Sequence, residues 1–106
     1  IYRGCAISFA KPYDDVGLVA PQAADELLTI EGVSASVVMF KTPAGVSFSA
    51  RSLGGMNVQV IMEALGGGGH QTMAGAQMQD VTPQEAAVAL KNAIDKYFDD
   101  AEGHSD

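Results

Sequence analysis

Residues 46–53 (VSFSARSL) alternate between apolar and polar side chains, and residues 33–41 (VSASVVMFK) are β-branched and nearly continuous in their apolar half. Thr42, Pro43, Ala44 and Gly45 stand between the two runs. Alternation of period two marks a strand with one apolar and one polar face, and a continuous apolar run marks a strand buried on both faces. The turn residues between them make the pair a hairpin. Val46, Phe48 and Ala50 point one way, and Ser47, Ser49 and Arg51 the other.

The flanking segments add to this hairpin. Residues 3–9 (RGCAISF) read as a strand, broken by Lys11, Pro12, Tyr13, Asp14 and Asp15. Ala20, Ala23, Ala24, Leu27 and Leu28 then recur at helical spacing. Pro21 suits the first turn of that helix. If the helix instead starts near Asp15, Pro21 lies inside it and kinks it; Gly32 is the expected stop. Asn57 is an N-cap for a helix whose apolar stripe is Val58, Ile61, Met62 and Leu65, closed by Gly66. Residues 74–81 (AGAQMQDV) form a short strand. Thr82 caps the last helix, with Pro83 as its first residue and Glu85 completing a capping box. Its buried stripe is Ala86, Ala89, Leu90, Ala93, Ile94, Tyr97 and Phe98. The expected fold is α/β, a mixed sheet of about four to five strands with helices packed on it, in the order β-α-β-β-α-β-α. One domain spans residues 1–98, and residues 99–106 fray as a disordered tail.

At 106 residues, with 47% apolar and 18% charged side chains, the chain has enough core for one domain and does not resemble a disordered protein. Its apolar runs are too short to cross a bilayer. It opens on Ile1 and not on methionine, and reads as a piece of a longer protein. Cys5 is the single cysteine, so no internal disulfide forms, which fits a reducing cytosol; it reads as a small buried hydrophobe. The net charge of −7 argues against broad duplex-DNA binding. Residues 1–31 carry a net −3 and residues 80–106 a net −5, whereas residues 32–79 set Lys41 and Arg51 against Glu63 alone, a net +1. An anionic ligand meets least repulsion in the middle.

That middle contains Gly66, Gly67, Gly68 and Gly69, directly before His70. Four glycines cost backbone entropy, so they need a reason. One reading is structural: a helix C-cap followed by a permissive loop. The other is an anion cradle, in which successive backbone N–H groups converge on a phosphate with no Cβ in the way. A Walker loop is excluded, because GxxxxGK[ST] is absent and the run follows a helix instead of opening one; a GxGxxG dinucleotide fingerprint fails as well. His70 can donate to a phosphate. The Arg51 guanidinium matches phosphate oxygens in bidentate fashion. A lone strand arginine is more often paired with an acid, and Glu63 is the one acid close to it in sequence.

The series Ser49-Ala50-Arg51-Ser52, then Asn57-Val58, then Gly66-Gly67-Gly68-Gly69-His70 followed by Ala74-Gly75-Ala76, resembles the DHH-associated domain, the C-terminal half of DHH-family phosphoesterases. The likeness runs from Arg3 to Phe98, and within the family it looks most like the cyclic-di-AMP phosphodiesterase type. Met73 and the pair Gly55-Met56 depart from the usual pattern. The resemblance implies that an N-terminal DHH domain of the same chain holds two manganese ions and hydrolyses the substrate, while the associated domain binds the nucleotide. By the same likeness Arg51 and Ser52 contact phosphate or sugar, the Gly67, Gly68 and Gly69 backbone cradles a phosphate, and His70 completes the site. Asn57 either caps its helix or touches ligand, with the cap favoured. No catalytic residue and no metal or cofactor site is expected in this stretch, so the isolated domain is expected to hydrolyse nothing. The alternative is a phosphoesterase domain for short oligonucleotides (nanoRNA) or phosphoadenosine phosphate, or a single-strand-binding module of an exonuclease. The expected partners are a nucleotide or short oligonucleotide and the DHH domain, with a homodimer left open and no membrane contact by this segment. The expected location is cytoplasmic, on a parent that could be membrane-anchored.

Overall fold

A computed structural model describes residues 2–10 and 16–101. The elements are β1 (Cys5–Phe9), α1 (Val16–Leu27), β2 (Ala35–Thr42), β3 (Gly45–Ser52), α2 (Val58–Glu63), β4 (Gly68–Gly69), β5 (Met73–Gln79) and α3 (Pro83–Ala101). They build one five-stranded mixed sheet in the order β1-β2-β3-β5-β4. β1 runs parallel to β2, and every other pairing is antiparallel.

The hairpin forms as its pattern requires. On β3 the alternating residues Val46, Phe48 and Ala50 are buried, while Ser47, Ser49 and Arg51 are half-buried on the opposite face. Ala35, Val37 and Met39 of β2 join the larger core beneath α2 and α3, with Ile61, Met62, Leu90 and Ile94 among its fully buried side chains. Val38 and Phe40 turn the other way and pack on Ala23, Ala24 and Leu27 of α1. Ser36, fully buried on that face, donates its hydroxyl hydrogen to the Ala24 carbonyl. β2 is therefore buried on both faces, which is what its continuous apolar run signals.

The element boundaries depart from expectation at identifiable places. β1 begins at Cys5 and not at Arg3, because Arg3 (φ 52°) and Gly4 (φ 82°) form a tight turn in which Tyr2 and Cys5 exchange backbone hydrogen bonds of 2.8 and 2.9 Å. α1 starts at Val16, so Pro21 lies within it; the break and cap expected at residues 11–15 lie outside the described residues. The helix also stops at Leu27, well before Gly32, and its end tightens into the three-residue hydrogen bonds of Leu28, Thr29 and Ile30. α3 runs to Ala101, past the expected start of the tail at residue 99. Its capping box is intact: the Thr82 N–H donates to Glu85 Oε1 at 2.8 Å, and the Glu85 N–H donates to Thr82 Oγ1 at 3.1 Å. Cys5 is fully buried, and burial pushes its thiol pKa up to about 11, so at neutral pH it is an inert apolar side chain. Among the described residues, no helix is long and apolar enough to cross a membrane.

Candidate phosphate-binding site

One end of the sheet gathers the residues singled out from the sequence. Arg51 lies opposite Met73, Gly69 opposite Ala74, and Ser36 opposite Arg51. The ends of β3 and β4 thus meet the start of β5 at one end of the sheet, with Arg51 and the His70 turn on opposite sides of Met73.

Three of the four glycines have a structural explanation. α2 closes with Gly66 at φ 89°, its N–H bonded to the Glu63 carbonyl at 3.0 Å and the Gly67 N–H to the Met62 carbonyl at 2.8 Å. This is a Schellman ending, in which a left-handed residue satisfies the last helical carbonyls. A Cβ on Gly67 would stand 2.1 Å from the Gly75 carbonyl oxygen, and one on Gly69 would stand 2.6 Å from Ala74 Cα, with φ 146° adding strain. Both glycines let β4 lie directly against β5. Gly68 differs: a Cβ there meets nothing within 4 Å, and no left-handed φ requires glycine. The run is thus a helix stop and a two-residue edge strand, an element that sequence periodicity could not reveal because glycines carry no side chains to alternate.

His70 is exposed, and its backbone is held on both sides: its N–H donates to the Met73 carbonyl at 2.6 Å and its carbonyl accepts from Met73 N–H at 3.3 Å. Gln71 ties this turn to its neighbours. Its Nε2 donates to the Gly54 carbonyl at 3.3 Å, and its own carbonyl accepts the Val58 N–H at 3.0 Å. Asn57 caps α2, its Oδ1 accepting from Gln59 N–H at 3.0 Å, and its N–H donates to the Tyr97 hydroxyl oxygen at 3.0 Å.

The Arg51 side chain is only 14% exposed and sits on the α1 face of the sheet. One Nη1 hydrogen goes to the Ala50 carbonyl at 3.0 Å, and Nε lies 3.3 Å from Asp25 Oδ1 of α1. The acid beside it is Asp25 and not Glu63, 26 positions away in the chain and therefore invisible to local reading. Ser52, next on the strand, turns to the other face and is buried; its Oγ accepts the Gly54 N–H at 2.9 Å and its own N–H donates to the Thr72 carbonyl. The structure thus gathers Arg51, Gly68, Gly69 and His70 at one end, and sets Ser52 and Gly67 behind them as parts of the scaffold. Leu53 (68% exposed) and Met73 (51% exposed) leave apolar surface beside this end. The contacts made by Asp25, Gln71 and the Tyr97 hydroxyl were not foreseen; each acts across a distance in sequence that no motif spans. Among the described residues, no group of three or more His, Cys, Asp or Glu side chains could hold a metal ion.

Comparison with known proteins places this arrangement. The DHHA1 domain matches residues 8–100. The cyclic-di-AMP phosphodiesterase GdpP of Geobacillus thermodenitrificans is 60% identical over 79 residues, covering 74% of this chain and 12% of that protein. The cyclic-di-AMP phosphodiesterase PdeA of Listeria monocytogenes is 50% identical over 99 residues, covering 92% of this chain and 15% of that protein. The chain therefore spans less than a sixth of either relative. An exopolyphosphatase-related protein from Bacteroides fragilis has the same fold, with a TM-score of 0.77 at 22% identity, over 92% of this chain and 31% of that one. With the match running over nearly its whole length, the chain belongs to the DHHA1 domain family.

Proposed function

We propose that this chain is the substrate-binding domain of a DHH-family phosphodiesterase that hydrolyses cyclic-di-AMP, with manganese held by a DHH domain of the same parent protein. The relatives of 50% and 60% identity carry that activity in their names. The observation that carries the reading is Gly68: the fold explains the other glycines of the run, whereas the missing side chain at Gly68 opens backbone surface next to His70 and on the same sheet end as Arg51. A phosphate can approach such a backbone closely, and a guanidinium beside it supplies directional donors and charge. In this reading Arg51 and His70 donate to phosphate, Gly68 and Gly69 form the open wall, and Ser52 and Gly67 hold that wall in place. In this reading the metal chemistry belongs to the DHH domain of the parent. This chain contributes binding and orientation of the nucleotide.

Steady-state kinetics of the full-length parent test the reading. Arg51→Ala is expected to lower kcat/KM for cyclic-di-AMP at least tenfold, in line with the loss of a charge-assisted hydrogen bond to phosphate of about 1.5–3 kcal/mol. Kinetics indistinguishable from the unaltered enzyme would reject Arg51 as a phosphate contact.

A further inference from the structure

The geometry points to Asp25 as a charge filter on this site, one that tolerates a phosphodiester and disfavours a terminal phosphomonoester. This inference rests on the reading of Arg51 as a phosphate contact. Arg51 does not need Asp25 for its aim. Its side chain is mostly buried against the sheet, its backbone is paired on both sides in β3, and Nη1 is bonded to the Ala50 carbonyl. Asp25, by contrast, keeps 64% of its side chain exposed and touches the guanidinium at Nε across 3.3 Å. Among the described residues, no other ion pair reaches Asp25. With its carboxylate open to solvent, the pair adds little to stability. Its consequence is electrostatic: the one guanidinium of the site carries its own counter-ion.

A phosphate arriving at Arg51 therefore meets directional donors around a nearly neutral pair. Each negative charge it carries is repelled by the Asp25 carboxylate, so a doubly charged phosphate is disfavoured more than a singly charged one; Lys41, the other cation of the middle segment, lies opposite Val46 at the far end of the hairpin. Hydrolysis of a phosphodiester adds hydroxide to phosphorus and the proton to the departing oxygen. The phosphate then becomes a monoester, whose second ionisation near pH 6 brings it to about −1.5 to −2 at pH 7. Substrate and product thus differ at the one property to which Asp25 responds. The extra charge costs up to about fivefold in affinity per unit, from Coulomb's law at about 4 Å in water. Asp25 thereby weakens product retention relative to substrate binding, and discriminates between phosphate classes without touching the nucleoside.

Competitive inhibition of the full-length parent tests this, using two linear di-adenosine nucleotides, one with a terminal 5′-phosphate and one without. Asp25→Asn is expected to lower the Ki of both dinucleotides, and that of the phosphorylated one about two- to fivefold more than that of the unphosphorylated one. Asp25→Glu, which keeps the charge, is expected to retain the original ratio and shows that the variants fold. If Asp25→Asn raises the Ki of the phosphorylated form, leaves it unchanged, or shifts both inhibitors equally while Arg51→Ala still impairs the enzyme, the filter is wrong and the phosphate reading stands. If Arg51→Ala changes nothing, both fall together.

Discussion

Two adjacent glycines separate what the fold needs from what a ligand needs. At Gly67 an added methyl group would run into the backbone of β5, 2.1 Å from the Gly75 oxygen and 2.6 Å from Ala76 Cα, and neither atom can swing aside as a side-chain tip would. At Gly68 the same methyl group meets open space. Gly67→Ala is therefore expected to destabilise the chain by about 1–3 kcal/mol, the usual range for forced overpacking. Gly68→Ala should leave stability within about 0.5 kcal/mol, as surface changes do, or raise it slightly by restricting the unfolded chain. In the full-length parent, the Gly68 variant is expected to raise the KM for cyclic-di-AMP all the same, because a Cβ would stand where phosphate approaches. Urea unfolding and kinetics together decide the matter. A Gly68→Ala protein of unchanged stability and unchanged KM would remove Gly68 from the site. The result also bears on Arg51, which stands across β5 from the glycine strand and one register pair away.

Among the elements, the segment ahead of β1 is fastened to α3 by a cluster with its own pH signature. The Tyr2 hydroxyl lies 2.8 Å from both carboxylate oxygens of Asp95, Arg3 Nη1 donates to the same carboxylate at 3.0 Å, and the Arg3 guanidinium covers the Phe98 ring at 4.7 Å. The hydrogen bond from Tyr2, then that from Arg3, holds the Asp95 carboxyl below its ordinary 3.8; the same bond to Asp95 raises the Tyr2 phenol above its ordinary 10.0. A carboxyl depressed in the folded state contributes stability above its unfolded pKa and loses it as pH falls through the folded value; a raised phenol contributes below its unfolded pKa and loses it as pH rises. Tyr2→Phe should accordingly be less stable than the unaltered chain at pH 7. The gap should close below pH 3.8 and close again above pH 10. Denaturant titrations across that range check it, and a gap that ignores pH would show that Tyr2 acts by packing alone. The pair is 93 positions apart, which explains why no reading of the sequence found it. The capping box of Thr82 and Glu85 and the Asn57 cap were legible because their partners lie two or three residues away. The hairpin was legible because alternation is local. β4 was not, since Gly68 and Gly69 have no pattern to read, and the Arg51 counter-ion was not, since α1 and β3 meet only in the folded chain.

For the whole molecule, charge decides how long a nucleic acid can be accommodated. The chain carries −7 overall, yet residues 32–79, which supply Arg51 and the glycine strand, are net +1 between acidic flanks. A groove for single strands tracks many phosphates with several basic and aromatic side chains, whereas here Arg51 is the one arginine of the middle segment and its counter-ion stands beside it. Phosphates beyond the first one or two are therefore expected to meet net negative charge. Affinity for oligoadenylates is expected to stay flat or fall as length grows from two to about ten nucleotides. The slope of log affinity against log salt should stay near −1, the value for one or two neutralised phosphates at about −0.7 each on a single strand. Fluorescence titrations of this chain with oligoadenylates at several salt concentrations measure both quantities. Affinity climbing more than about tenfold with length, together with a slope of several units, would mean that the acidic flanks stand clear of the strand's path and that the sheet end opens into an extended groove. Flat affinity with a shallow slope ties the charge pattern of the whole chain to the local pairing of Arg51 with Asp25, since both then favour a small ligand with few negative charges.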